Sequence, residues 1–227
     1  MKIIQIIFFL FIIYLAFILI TELCDRIETA KIKKNIIIVK SKKNKSNENS
    51  GSEGESIVAK TLKKLNPEEY LILNDIMIET SFGTSQIDHV VISKRGIFVI
   101  ETKHYSGLIF GNETNANWTQ QFNRGKTLFH NPVMQNFSHV MALKSALGID
   151  KDSLFIPIVV FSHPDVRLSV DTVKERVVII RDLLFTIKSK KGIVFTNDEV
   201  ISFYNSLNEK NITSKEKRLE HIEKLKS

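Results

Sequence analysis

Three ionisable residues stand within two apolar stretches of the chain, and their types and spacing suit a metal-assisted reaction. Asp88 lies in the first stretch, and Glu101 and Lys103 lie in the second. Paired carboxylates suit a hard divalent cation such as Mg²⁺, which is usually held by one or two carboxylates together with water and substrate phosphate. A neighbouring lysine would position or activate the attacking water and stabilise the charge that develops on a phosphoryl group.

These stretches read as two strands of a hairpin. Residues 87–92 and 97–100 are rich in β-branched side chains, and Gly96 can adopt the positive φ of a bulged turn between them. Because side chains alternate along a strand, Glu101 and Lys103 project from the same face. In the simpler alternative, the carboxylates end strands at the surface and the lysine pairs with one of them. Buried charge is costly unless it is paired or binds a metal, so their position inside apolar strands favours the metal site.

The position of Asp88 depends on the register of the hairpin. A turn at residues 94–95 sets Asp88 opposite Glu101, whereas a turn centred on the second of these residues alone sets it opposite Thr102, facing away. A bulge at Gly96 would supply the shift of one residue. In the first register, two carboxylates and an ammonium group converge on one point.

Short motifs surround these strands in a fixed order. They are Gly54-Glu55, Asn74-Asp75, Gln86-Ile87-Asp88-His89, Gly96-Ile97-Phe98-Val99-Ile100-Glu101-Thr102-Lys103, Trp118 and Asn131-Pro132-Val133-Met134-Gln135-Asn136. Together, over roughly residues 51–165, they resemble the NERD (nuclease-related) domain, which is similar in turn to the PD-(D/E)xK nuclease superfamily. The resemblance implies an α/β domain with a restriction-endonuclease-like mixed sheet flanked by helices, and an active site on the hairpin.

The resemblance also changes the interpretation of two other residues. Glu55 lies in the first turn of an expected helix, where an acidic side chain complements the helix dipole; the position in related nucleases implies a third acidic metal ligand beside Asp88 and Glu101. Gln135 lies in the first turns of a helix expected from Pro132 to about residue 147, and a polar residue there is commonly solvated. The resemblance implies that it orients the substrate or the lysine.

The resulting functional expectation is a nuclease that uses Mg²⁺ or Mn²⁺ to hydrolyse phosphodiester bonds, with nucleic acid, DNA in the first place, as its partner. Asp88, Glu101 and Glu55 hold the metal, and Lys103 and Gln135 complete the catalytic set. A catalytically inactive nuclease fold that binds nucleic acid or serves as a scaffold is the alternative. A glycoside hydrolase with two carboxylates is disfavoured by the hairpin spacing and needs no lysine.

The chain begins with an apolar run long enough to cross a membrane. Residues 3–20 carry no charge and only one strongly polar residue, and with the residues to Leu23 they reach the length that a ~30 Å hydrocarbon core requires. We expect residues 1–24 to form a single-pass transmembrane anchor rather than a cleaved signal peptide. Eight basic residues follow the run and Lys2 alone precedes it, which predicts a cytoplasmic C-terminal domain.

Residues 25–53 read as a basic juxtamembrane segment and a flexible linker, and residues 54–227 as one domain. Nine of the 32 basic residues and four of the 25 acidic residues precede residue 51. The remaining 23 basic and 21 acidic residues give the rest of the chain a net charge of only +2. Net charge is therefore no argument for nucleic-acid binding, because the basic excess suits anionic headgroups. Oligomeric state does not follow from the sequence.

The surroundings of four further residues predict their roles. His89 should face away from Asp88 and be structural, and Trp118, the single tryptophan of the chain, is expected to be a core residue. Gln86 either contacts substrate or caps a strand. His139 follows Gln135 by one turn and is expected on the same face, where a polar pair is commonly solvated. The segments 108–110 and 118–122 are expected to extend the central sheet as short strands.

Overall fold

The computed structural model describes residues 53–81, 83–122, 125–172 and 176–226. The described residues belong to one compact unit, Gly51–Ser227. The expected anchor (residues 1–24) and nearly all of the juxtamembrane segment (residues 25–53) lie outside the described residues. Among the helices of the described ranges, none combines the length and the apolar character that crossing a bilayer requires.

The described part is a mixed α/β fold. Its α-helices are α1 (Glu53–Leu62), α2 (Pro132–Leu147), α3 (Leu183–Ser189), α4 (Asn197–Lys210) and α5 (Lys215–Lys226), with short 3₁₀ turns at Asp152–Leu154 and Ile180–Asp182. Its strands are β1 (Tyr70–Thr80), β2 (Gly83–Ser93), β3 (Gly96–Lys103), β4 (Gly107–Asn112), β5 (Asn117–Phe122), β6 (Gly125–His130), β7 (Phe155–Phe161), β8 (Val166–Asp171) and β9 (Val177–Ile179).

Five strands form the central sheet, in the order β1-β2-β3-β7-β9. The first three are antiparallel, and β7 and β9 join them in parallel. Strand β3 is thus interior to the sheet, which explains why every residue from Gly96 to Thr102 is buried. Pro157 is tolerated inside β7 because pairing with β9 begins only at Val159, so its missing N–H has no partner strand to face.

Helices cover both faces of this sheet. On one face, α1 and α3 pack Val58, Leu62, Leu183 and Ile187 against a cluster that includes Phe98 of β3. On the other face lies α2, whose Asn136 amide group donates to the carbonyls of Val99 and Ile158 at 2.9 and 3.1 Å. The expected sheet with helices on both faces is therefore present.

A second sheet corrects one expectation. Strands β4 and β5 do not extend the central sheet; with β6 and β8 they form a separate mixed sheet in the order β6-β5-β4-β8. The physical reason is a core of its own: Ile109 and Trp118 are fully buried against Phe161 of the central sheet. Strands that pack face to face on the central sheet do not lie at its edge, where they would have to be to extend it by hydrogen bonding.

Candidate active site

The β2–β3 hairpin adopts the register that unites the three chemical residues. Ser93 pairs with Gly96 across a two-residue turn, and the ladder continues to His89 opposite Ile100. The next position sets Asp88 opposite Glu101. Gly96 has φ +139°, and a Cβ there would collide with Ile156, so glycine is required at the turn. The register needs no bulge, because the two-residue turn supplies it.

The side chain of Asp88 makes a hydrogen bond at the end of this strand pairing. Its Oδ2 accepts a hydrogen bond from the backbone N–H of Thr102 at 2.7 Å. Burial, followed by the negative charge of Glu101, raises the pKa of Asp88 to about 8, and Glu55 contributes in the same direction. The hydrogen bond from Thr102 opposes this rise but does not cancel it. Asp88 is thus a largely buried carboxyl group beside the negative charge of Glu101, and a bound cation would favour its ionised form.

Glu101 is the most deeply buried of the three, with 2% of its surface exposed. Lys103 Nζ lies 2.7 Å from its Oε1, and His139 Nε2 lies 3.1 Å from its Oε2. Burial raises the pKa of Glu101, but the hydrogen bond from His139 and the charge of Lys103 outweigh burial and hold that pKa below its ordinary value. Glu101 is therefore a carboxylate at neutral pH.

Lys103 joins strand β3 to helix α2. Its Nζ donates to Gln135 Oε1 at 3.0 Å in addition to its ion pair with Glu101. Burial lowers the pKa of Lys103, but the charge of Glu101 overcomes this and the net pKa is raised. Lys103 is consequently an ammonium ion with three N–H donors, of which two are engaged by these partners. The expected proximity of Gln135 to the lysine is present in the structure.

Two asparagines fix helix α2 over the hairpin. Asn131 caps the helix by accepting from the N–H groups of Val133 and Met134, while its amide donates to the carbonyls of Asn112, Glu113 and Asn115. Five residues later, the Asn136 amide group donates to two carbonyls of the central sheet. The motif that begins at Asn131 is therefore a positioning device: its asparagines anchor the helix, and Gln135 between them reaches the lysine.

The start of helix α1 is positioned by close packing at Gly54. A Cβ at this position would lie 2.7 Å from His104 Cβ and 2.8 Å from Ser162 Oγ, so only glycine allows the helix to approach this closely. Glu55 follows in the first turn and is near enough to raise the pKa of Asp88. Within the described ranges, however, no three His, Cys, Asp or Glu side chains form a group that could hold a metal ion.

Other residues with expectations take structural roles. His89 is fully buried and its Nδ1 lies 2.8 Å from Asn74 Oδ1, as its interpretation as a structural residue requires. Burial lowers the pKa of His89 to about 4, so it is neutral. Gln86 donates to Asp75 Oδ1 at 2.9 Å, and that carboxylate also binds Arg218 of α5. Gln86 thus links β2 to β1, and Trp118 is a core residue as expected.

His139 is the residue that sequence reasoning missed. It is buried rather than solvated, and its Nδ1 lies 3.0 Å from Ser85 Oγ while Nε2 faces Glu101. Both ring nitrogens are therefore engaged, which fixes the ring and the Glu101 carboxylate together. The available signal was its spacing of four residues from Gln135, which puts both side chains on the face of α2 that turns toward β3.

We expect the substitution His139→Phe to lower the rate of any reaction at this site about 10- to 100-fold, the usual effect of removing a residue that orients a metal ligand. His139→Gln should retain more activity, because its amide can still donate to Glu101. Steady-state rates at saturating Mg²⁺ would measure this, with Phe137→Ala, an exposed position on the same helix, as the control. Equal rates for the wild type and the His139→Phe protein would contradict a positioning role.

The raised pKa of Asp88 leads to a prediction about the stability of the metal-free protein. Its pKa is about 8 when folded and 3.8 ordinarily, so between these values the folded state keeps a proton that the unfolded state loses. Stability should then fall as pH rises through this window. Asp88→Asn should flatten that dependence and be the more stable protein near pH 8. Urea unfolding in EDTA at about pH 5 and about pH 8 would test this; parallel pH profiles for the two proteins would refute it.

The donor set fits a hard divalent cation through two carboxylates. Mg²⁺ is commonly held by one or two carboxylates and several waters, so a group of three acidic residues is not required. Asp88 and Glu101 are neighbouring oxygen donors, and burial, followed by the charge of Glu101, raises the pKa of Asp88, so a cation bound there would favour its ionised form. These two residues fit the metal, whereas Glu55 contributes its field but does not complete a three-residue group.

Comparison with known proteins agrees with this geometry. The family model of the nuclease-related domain, NERD, matches residues 50–162, which include the hairpin and helix α2. An uncharacterized protein of Bacillus anthracis is 37% identical over 179 residues, covering 77% of this chain and 83% of the relative. No solved structure matches the chain significantly. The chain therefore belongs to the NERD, or nuclease-related domain, family.

Proposed function

We propose that this protein is a metal-dependent nuclease that hydrolyses phosphodiester bonds at the end of the β2–β3 hairpin. One observation carries the proposal: Asp88, Glu101 and Lys103 converge at the buried end of two paired strands, with Lys103 Nζ 2.7 Å from Glu101 Oε1. Membership of the nuclease-related family supports the class of reaction. A restriction-endonuclease-like topology belongs to the same proposal.

Asp88 and Glu101 would hold Mg²⁺ or Mn²⁺, and Glu55 would add negative charge beside them. The metal, when bound, would polarise a phosphoryl oxygen and lower the pKa of a coordinated water. Both oxygens of Glu101 already accept contacts, from Lys103 and His139. A carboxylate oxygen has two lone pairs, so each can keep its present partner while it faces a cation.

Lys103 acts in this proposal as a fixed positive donor. Because its pKa is raised, it carries its proton at neutral pH and does not serve as a general base. Two of its three N–H bonds point to Glu101 and Gln135, and the third is left to orient a water or to stabilise charge on a phosphoryl oxygen. Gln135 holds the ammonium group in place through the hydrogen bond to its Oε1.

A cleavage survey tests the proposal. The fragment 51–227, which is the compact unit with both cores, would be incubated with labelled single- and double-stranded DNA and RNA in Mg²⁺, Mn²⁺ or EDTA. We expect metal-dependent cutting of DNA that is absent in EDTA and in the Asp88→Asn protein. A folded fragment that cuts none of these substrates would overturn the proposal, and cutting that persists in Asp88→Asn would move the site elsewhere.

A second function is favoured by one observation. The ion pair of Glu101 with Lys103 and its contact with His139 satisfy that carboxylate without a metal, as in a domain that binds nucleic acid without cutting it. Binding of the same substrates in EDTA, with no product formed in Mg²⁺ or Mn²⁺, would support this alternative. Loss of cutting without loss of binding in Asp88→Asn would support the nuclease.

We also propose that residues 3–23 anchor the protein in a membrane and that the C-terminal domain faces the cytoplasm. The support is the uncharged apolar run and the eight basic residues that follow it. The full chain should remain in the membrane pellet after an alkaline wash, whereas a protein that lacks residues 1–50 should be soluble. In sealed vesicles, a C-terminal tag exposed on the cytoplasmic side alone would support the orientation, and exposure on the opposite side would contradict it.

A further inference from the structure

One surface of the domain combines exposed apolar side chains with basic residues. We define this basic-apolar face as residues 181–194, which include helix α3 and the loop that follows it. Phe185 and Ile193 are 76% and 77% exposed, and Val194 is also exposed. Large apolar side chains with this exposure cost solvation free energy unless something covers them.

The fold itself directs Phe185 outward. Leu183 and Ile187, one turn apart on α3, are fully buried in the core of the central sheet. Phe185 lies between them in sequence and so points to the opposite side of the helix. The loop beyond α3 is fixed where Val194 and Phe195 donate to the Lys94 carbonyl at 2.8 and 3.1 Å. The exposed residues are therefore held on a defined surface.

The net positive charge of this face indicates an anionic partner. The basic residues of the face outnumber the acidic ones by four to one: Arg181, Lys188, Lys190 and Lys191 against Asp182. This charge differs from the near-neutral remainder of the domain. Basic side chains interleaved with aromatic and aliphatic ones are typical of proteins that lie on anionic bilayers, where lysines meet headgroups and apolar residues enter the acyl boundary.

A groove beside Phe185 has the same mixed chemistry. It measures about 720 Å³ and lies between α3 and the edge strands β8 and β9. Val166, Leu168 and Val178 supply apolar lining, while Arg167 and Arg181 supply positive charge. An apolar trough with guanidinium groups suits an amphiphile with an anionic head.

We propose that the basic-apolar face docks the domain on the surface of an anionic phospholipid bilayer. Val194 and Phe195 tie one end of this face to the hairpin turn through the Lys94 carbonyl, so the face is a fixed part of the domain. The proposal is independent of the chemistry at Asp88 and does not need the N-terminal anchor.

Vesicle co-sedimentation of fragment 51–227 tests the proposal. The fragment should bind vesicles that contain phosphatidylserine and not vesicles of pure phosphatidylcholine, and binding should weaken with salt. Replacing Lys188, Lys190 and Lys191 together with Glu should lower binding at least about tenfold. The double substitution Phe185→Ser and Ile193→Ser should also lower it, because apolar insertion is lost. Four of these residues are exposed and Lys190 is half-buried, so both variants should stay folded, which thermal unfolding would check.

A charge-matched control distinguishes docking from general attraction. The control variant replaces three exposed lysines outside the face, Lys126, Lys151 and Lys215, with Glu. It should bind vesicles about as well as the wild type. Equal losses in both triple variants would overturn the proposal, as would equal binding to neutral and anionic vesicles. Failure to bind anionic vesicles, combined with loss of DNA binding in the Lys188, Lys190 and Lys191 variant, would assign the face to nucleic acid instead.

Discussion

Lys103→Met is expected to lower the cleavage rate roughly 10²–10³-fold, the usual cost of removing one donor aimed at developing charge. Methionine retains most of the volume of the side chain but donates no proton to Glu101, Gln135 or a phosphoryl oxygen. Affinity for Mn²⁺ should not fall, because the lysine is not a metal ligand and its removal takes a positive charge away from the site. Initial cleavage rates and Mn²⁺ titration would measure the two effects separately.

Lys94→Met is the matched control, since it makes the same change at an exposed position in the turn of the same hairpin. Its cleavage rate should equal that of the wild type. A Lys103→Met protein that cuts at the normal rate, or one whose rate falls only because Mn²⁺ no longer binds, would contradict the role given to the ammonium group.

Trp118→Ala is expected to cost about 3–5 kcal/mol of the free energy of unfolding, the range for deleting a large buried aromatic side chain. The indole is fully buried, stacks on Phe161 with an angle of 6° between the rings, and donates to the Asn112 carbonyl at 2.8 Å. It packs so closely on Gly111 that no Cβ would fit there. Its removal would leave a cavity between the two sheets and take away one of the two hydrogen bonds that the Asn112 carbonyl accepts, the other coming from Asn131.

Urea unfolding followed by circular dichroism would measure this loss. Leu128→Ala in the same sheet is the control; Leu128 is 64% exposed, so the change should stay within about 0.5 kcal/mol. A loss below about 1 kcal/mol for Trp118→Ala would mean that the second sheet does not depend on this contact.

Much of the central sheet could be predicted because its strands carry strong local signals. Phe155–Phe161 is a continuous apolar run, and the hairpin has two β-branched strands around a glycine turn. Strand β6 was missed because GKTLFH is almost wholly exposed. Strand β8 was missed although Val166, Leu168 and Val170 alternate with polar residues and pack on the second core, because these apolar positions are only half-buried. Their pairing is decided by tertiary contacts with β4 and β5, which a local pattern does not contain.

The residues of the candidate site also fall into two groups, those whose positions the sequence predicts and those whose positions it does not. Asp88, Glu101 and Lys103 could be brought together because strand alternation and turn length fix their geometry. For His139, the spacing from Gln135 indicates the face of α2 but not the burial, which depends on how closely α2 approaches β3, where Asn136 donates to the carbonyls of Val99 and Ile158. Distances between a helix and a sheet are not encoded in the periodicity of either one.

The central claim, that the end of the hairpin is a metal-dependent phosphodiesterase centre, is tested most directly by cleavage of one labelled DNA substrate over a Mg²⁺ titration, with the wild-type fragment 51–227 beside its Glu101→Gln variant. We predict that the wild type cuts with a saturable dependence on Mg²⁺ and that the variant does not cut at any concentration. Cutting by the variant at the wild-type rate, or by the wild type in EDTA, would contradict the claim.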